Sequence, residues 1–128
     1  MANTLDWKQL ASLDDFNALI EHSKTKPALV FKHRPSSEES TRVLDNLEEN
    51  WTLSPEDLDL YMVDVMKAKD VSSEVTEAAG VINEFPQVLL FADGVTMYDE
   101  SHELINVKKI KLALKIIGRT FKWMETRV

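Results

Sequence analysis

Apolar residues recur along the chain with two different periods, and the switches between them divide it into elements. Leu13, Phe16, Leu19 and Ile20 follow Ser12 at helical spacing, with Asp14 and Asp15 in the first turn, so a capped helix is predicted to about Ser23. Pro27 interrupts that pattern. Ala28-Leu29-Val30-Phe31 is then an unbroken apolar run, the mark of a strand covered on both faces, and it is the central-strand candidate. Beyond the Pro35-Ser36-Ser37 loop, Val43, Leu44 and Leu47 form a helical stripe reaching Trp51, with Ser36 and Glu39 at capping-box spacing. Residues 52–55 read as a loop and residues 58–65 as a second strand. Strand, helix, strand in this order implies a right-handed parallel unit.

Ser72 or Ser73 is placed to cap a short helix through Ala79, with Gly80 as its stop. The period then changes to two: Gln87–Phe91 reads as a strand, Asp93-Gly94 as a hairpin turn and Val95–Tyr98 as an antiparallel return. Asn106 can cap a last helix whose main apolar face holds Val107, Ile110, Ala113, Leu114, Ile117, Phe121 and Met124. Lys108, Lys111, Lys115, Arg119 and Lys122 gather on another face, and Leu112, Ile116 and Trp123 make a smaller apolar strip. The element order predicts an α/β fold with a central four-stranded mixed sheet flanked by helices.

A chain of 128 residues suits one domain, read here as residues 1–128 with a core of about 5–117 and a basic helical extension of about 118–128. Its 44% hydrophobic and 29% charged residues, with only 3 Gly and 4 Pro, describe a packed domain rather than a disordered segment. The net charge of −7 argues against nucleic-acid binding, which needs a clustered basic surface. The charge is unevenly placed: residues 107–128 hold seven basic side chains against Glu125, a balance of +6, which leaves −13 on residues 1–106. Lys108, Lys111, Lys115 and Arg119 therefore form either a solvated face or a surface for an unidentified partner. With no basic start followed by an apolar run and no stretch long enough to span a membrane, a cytoplasmic protein is expected.

Candidate chemistry is limited by the absence of cysteine, which removes disulfides, thiolate metal ligands and thiol catalysis together. His22, His33 and His102 lack metal-ligand spacing, so neither a metal nor a cofactor is expected. Ser37 as a nucleophile would need a base, for which His33 is the only neighbour in sequence. No G-x-S-x-G context surrounds it, and Ser36 or Ser37 reads more simply as a helix cap.

Three segments together resemble the thioredoxin-like monothiol bacilliredoxins of the YtxJ type, a bacterial family linked to the thiol bacillithiol. Leu29-Val30-Phe31-Lys32-His33 is similar to the strand entering that family's active-site loop. Phe85-Pro86-Gln87-Val88-Leu89-Leu90 is similar to the segment carrying its cis-proline, and Tyr98-Asp99-Glu100-Ser101-His102 to the end of its hairpin. The resemblance covers about residues 5–117 and implies a thioredoxin-like fold, with Pro86 cis and facing the active-site loop.

The same resemblance places Ser37 and Ser40 where family members carry a cysteine followed three residues later by serine. Glu38 and Glu39 stand where small or apolar residues are usual, and Pro35 and Phe85 also depart from the pattern. A helix N-terminus that stabilises a thiolate in a redox-active member would here stabilise carboxylates, which repel an anionic thiol. His33, Pro35, Ser36, Glu38, Phe85 and Pro86 are the ligand-facing candidates. The expectation is a redox-inactive protein acting by non-covalent binding. The alternative is a thiol–disulfide oxidoreductase, active in de-bacillithiolation, whose native cysteine has been exchanged for Ser37.

Overall fold

The computed structural model describes residues 5–120. Five strands and four α-helices follow one another in the order β1 (Lys8–Gln9), α1 (Leu13–His22), β2 (Ala28–His33), α2 (Glu38–Glu49), β3 (Asp59–Asp64), α3 (Lys69–Ala79), β4 (Gln87–Ala92), β5 (Val95–Ser101), a 3-10 turn at His102–Leu104 and α4 (Val107–Thr120). The strands form one mixed sheet in the order β1-β3-β2-β4-β5. β1 and β2 flank β3 in parallel, whereas β4 runs antiparallel to both β2 and β5.

β2 sits in the middle of the sheet and is buried on both faces. Leu29 and Phe31 enter a core with Val43 and Leu47 of α2 and Ile110 and Ile117 of α4. Ala28 and Val30 enter the opposite core with Phe16 and Leu19 of α1 and Val71 and Val75 of α3. The alternation of a strand produces this division: successive side chains point to opposite faces, and a strand covered on both sides has no polar face.

Several boundaries follow the predicted chemistry. Ser12 caps α1 reciprocally with Asp15, and Gly80 ends α3 in the left-handed region at φ 67°. Asp93 and Gly94 both have positive φ, 53° and 81°, as a two-residue hairpin turn requires. Asn106 accepts the Lys109 N–H at 3.0 Å, capping α4.

Four features differ from the sequence expectation. The sheet has a fifth strand, because Lys8 and Gln9 pair with Tyr61 and Met62, a contact too short to leave a periodic signal. The Ser36–Glu39 capping box does not form, and of the two serines offered as the cap of α2 it is Ser37 that serves: Ser37 Oγ accepts the Ser40 N–H at 3.2 Å, and Ser36 Oγ accepts from Arg34 Nε at 3.3 Å. α3 starts at Lys69, a turn before Ser72, with no side-chain cap. The chain is led into it by Asp64, whose Oδ1 accepts the Met66 and Lys67 N–H groups. β5 continues past Tyr98 to Ser101, held by β4 as far as the Gln87–Ser101 pair.

Of the basic extension, residues 118–120 are described, and they belong to α4. Phe121, Lys122, Trp123 and Met124 of the expected faces lie outside the described residues. Among the described residues no helix is long and apolar enough to cross a membrane.

Phe31 is fully buried and makes edge contacts with the rings of Trp7 and His33 at 5.9 and 5.8 Å. Phe31→Ala should therefore cost about 3–5 kcal/mol of stability, read by urea denaturation. A loss below about 1 kcal/mol would contradict this packing.

Candidate functional site

The site lies where β2 leaves the sheet and α2 begins. Ser37 is the cap of α2, so its hydroxyl is engaged with the helix backbone. Ser40 is fully buried one turn later, and its Oγ accepts the Arg34 N–H at 3.0 Å and lies 2.7 Å from His33 Nδ1. With the Arg34 N–H on one lone pair, Ser40 Oγ can meet either tautomer of the neutral ring, donating to Nδ1 or accepting from it. Burial pushes the His33 pKa down, against the charges of Asp64, Asp45 and Glu48, which suits that neutral form.

His33 Nδ1 is engaged with Ser40, and among the described residues no hydrogen bond joins the ring to Ser37. Ser40, the serine that has a histidine beside it, is inaccessible to substrate. Neither residue forms a nucleophile–base pair open to solvent.

Glu38 and Glu39 occupy the first turn of α2, where the positive end of the helix favours carboxylates. Glu38 is exposed. Glu39 turns instead towards His102, which is held with φ at 58° at the end of β5. His102 Nδ1 lies 3.1 Å from Glu39 and Nε2 lies 3.2 Å from Glu84. Only the imidazolium donates from both nitrogens, so the doubly bridged geometry is that of the protonated ring. Burial alone would lower its pKa, but the hydrogen bonds and charges of Glu84 and Glu39 outweigh it and raise the value.

Across from the α2 N-terminus, the Phe85–Pro86 peptide bond is cis. The Arg34 guanidinium lies over the Phe85 ring, 5.3 Å from its centroid, joining the loop after β2 to the segment before β4. Pro35, Ser36, Ser37 and Glu38 line an open groove of about 680 Å³ that continues along α2 to the Arg42–Glu103 ion pair. His33, Phe85 and Pro86 do not line that groove; Pro86 is buried and His33 half-buried. The six ligand-facing candidates therefore divide between an outer groove beside α2 and an inner set around the cis peptide.

Lys32 was not among the residues selected from the sequence, and it is the most unusual group near the site. It is fully buried, on the α1/α3 side of β2. Its Nζ donates to Thr76 Oγ1 at 2.7 Å, Asn83 Oδ1 at 2.6 Å and Gln87 Oε1 at 3.0 Å, so all three N–H bonds of the ammonium are used. Burial pushes its pKa down to about 8, with Glu84 acting the other way. The ammonium still predominates at neutral pH and ties β2 to α3 and to both sides of Pro86. Its sequence signal was a lysine directly after an apolar run in the central strand, a position that a buried strand offers to a charge only with partners.

The three histidines have separate partners: His22 pairs with Asp59 at 2.9 Å, His33 with Ser40, and His102 with Glu39 and Glu84. Among the described residues no group of three His, Asp or Glu side chains is placed to hold a metal ion.

The family described as Monothiol bacilliredoxin BrxC matches residues 8–110. The chain belongs to this family. Among solved structures it is similar to a candidate oxidoreductase with a thioredoxin fold, at 28% identity and a TM-score of 0.72 over 83% of this chain and 91% of that one. It is also similar to the thioredoxin Mala s 13 of Malassezia sympodialis, at 15% identity and a TM-score of 0.67 over 90% and 93% of the two chains. Fasciola hepatica thioredoxin is 15% identical with a TM-score of 0.63, over 84% of this chain and 96% of that one. No curated protein sequence matches the chain. The fold is that of thioredoxin, and this bacilliredoxin-family chain contains no cysteine.

Two titrations check these contacts. A buried lysine with a depressed pKa gives stability that is lost as pH falls through about 8 and fully present only above the unfolded value near 10.5. The stability of the protein relative to Lys32→Met should therefore rise between pH 8 and 10, measured by chemical denaturation; a constant difference would show that Lys32 does not titrate there. For His102 the sign is opposite: its raised pKa gives stability present below about 6.5 and lost as pH rises through the folded value. Glu84→Gln should lower the His102 pKa seen by NMR, and an unchanged value would remove Glu84 as a partner.

Proposed function

We propose that this bacilliredoxin-family protein has no thiol–disulfide activity and acts by non-covalent binding of a protein or small-molecule ligand. The observation that carries the reading is Ser37. Its hydroxyl caps α2 at the position where the family resemblance places a cysteine, and no other residue of the chain offers a thiol. A serine hydroxyl remains protonated near neutral pH and forms no counterpart of a mixed disulfide. Glu38 beside it adds negative charge at the groove, which disfavours an anionic thiol such as bacillithiol and favours a cationic or neutral group.

In this reading the ligand-facing surface is the groove lined by Pro35, Ser36 and Glu38, backed by an inner half made of His33, Phe85 and the buried Pro86, in a single cytoplasmic domain that uses no metal or cofactor. Arg34 over Phe85 and Lys32 behind Pro86 hold the two halves of that surface in register. The competing reading, an oxidoreductase whose cysteine has been exchanged for Ser37, draws support from the family match and from the candidate oxidoreductase among the similar structures.

One pair of measurements separates the two. The protein should neither reduce nor exchange with a bacillithiolated substrate, and turnover by the cysteine-free chain would refute the binding reading. Ser37→Cys should leave exchange at background and give a thiol pKa at or above the ordinary value of about 8.5, because Glu38 and Glu39 oppose the thiolate. Restored exchange with a depressed pKa would instead establish the exchanged-cysteine reading.

A further inference from the structure

A second surface, separate from the Ser37 loop, lies between α4 and the edge strand β5. Met97, Tyr98, Leu112, Ala113, Ile116 and Ile117 line a largely apolar groove of about 210 Å³ there. Leu112 and Ile116 are 58% and 53% exposed and Met97 is 37% exposed, although the remainder of the apolar face of α4 is buried in the core. Large aliphatic side chains grouped beside a groove, rather than scattered singly, mark a contact surface.

Charge borders this strip on one side. Lys108, Lys115 and Arg119 follow Leu112 and Ile116 around the helix on the flank away from β5, with Lys111 beyond them. All four are exposed, and among the described residues none of them forms an ion pair. Lys109, on the β5 side, is already paired with Glu100 at 3.4 Å. The uncompensated positive charge therefore lies on one border of the apolar strip, on a chain whose residues 1–106 carry −13.

We propose that this groove docks an acidic amphipathic helix of a partner protein. Its apolar anchors seat on Met97, Leu112 and Ile116, and its carboxylates lie over Lys108, Lys115 and Arg119. Leu112 and Ile116 stand one helical turn apart, a ridge into which side chains of an opposing helix at the same spacing fit. Strand addition at β5 is disfavoured because the register shifts between Leu90 and Phe91, leaving Met97 as an unpaired bulge that breaks the edge ladder. A membrane surface is disfavoured because the main apolar face of α4 is already spent on the core, leaving two side chains where interfacial helices present a full face. The basic border supplies the complementarity that selects an acidic partner.

The test uses the full chain and a labelled synthetic helix with leucines at i, i+3, i+4 and i+7 flanked by glutamates, followed by fluorescence anisotropy. Binding should weaken by about tenfold or more in Ile116→Glu and in the Lys115→Glu, Arg119→Glu double variant, with both retaining the unfolding midpoint of the parent. It should weaken with salt, be absent for the same helix flanked by lysines, and persist in Ser37→Ala, which separates this surface from the loop around Ser37. No binding, equal binding of the lysine-flanked helix, or indifference to Ile116→Glu would overturn the proposal. So would concentration-dependent self-association lost in Ile116→Glu, since a second copy would then be the occupant. Co-sedimentation with phosphatidylserine vesicles lost in the same variants would assign the surface to a membrane. Binding that emerges only after truncation beyond Thr120 would assign it to residues 121–128 of the chain itself.

Discussion

Burial of β2 on both faces is the constraint from which the rest of the molecule follows. Its backbone is paired on one side with β3 and on the other with β4, and its side chains must satisfy two cores at once. Leu29 and Phe31 serve the α2/α4 layer, and Ala28 and Val30 the α1/α3 layer. The same alternation carries past the apolar run, so the last two residues deliver one polar side chain to each layer. His33 reaches Ser40 in α2, and Lys32 reaches Thr76, Asn83 and Gln87.

These two residues give the end of the strand a polar frame, with Lys32 fully buried and His33 half-buried. Three neutral oxygens complete the hydrogen bonding of Lys32, which makes a charge tolerable in a fully buried position. Because Asn83 and Gln87 bracket Pro86, the lysine also fixes the segment that faces the α2 N-terminus. His102 closes the same region from the outside by joining Glu39 to Glu84. Lys32, His33 and His102 thus frame the N-terminus of α2, where the capping residue is Ser37. Ser37 Oγ accepts the Ser40 N–H, and the positive end of the helix dipole acts on Glu38 and Glu39.

The two candidate surfaces have opposite electrostatic character. Around Ser37 the groove is bordered by Glu38, Asp45, Glu49 and Glu103, with Arg42 tied to Glu103. Beside β5 the exposed cations of α4 are unpaired among the described residues and border an apolar strip. A chain with a net charge of −7 thus presents an acidic groove at one place and a basic border at another.

Local chemistry determined much of this protein by itself. The period-two and helical repeats, the capping of α1 by Ser12, the Gly80 stop and the Asp93-Gly94 turn all act over a few residues, so they are legible in order along the chain. The missing cysteine and the acids in the first turn of α2 belong to the same class. What only the tertiary structure decided are contacts between residues far apart in sequence. Lys8 and Gln9 become a strand only because β3 offers an open edge, and Lys32 finds acceptors 44 to 55 residues away. His102 meets Glu39 across 63 positions. Either Ser36 or Ser37 has the chemistry to cap α2, and the structure shows Ser37 in that place. Periodicity specifies which face of an element is apolar, but a buried charge or a bridged histidine is defined by its partners, and those are assembled only when the sheet closes its layers.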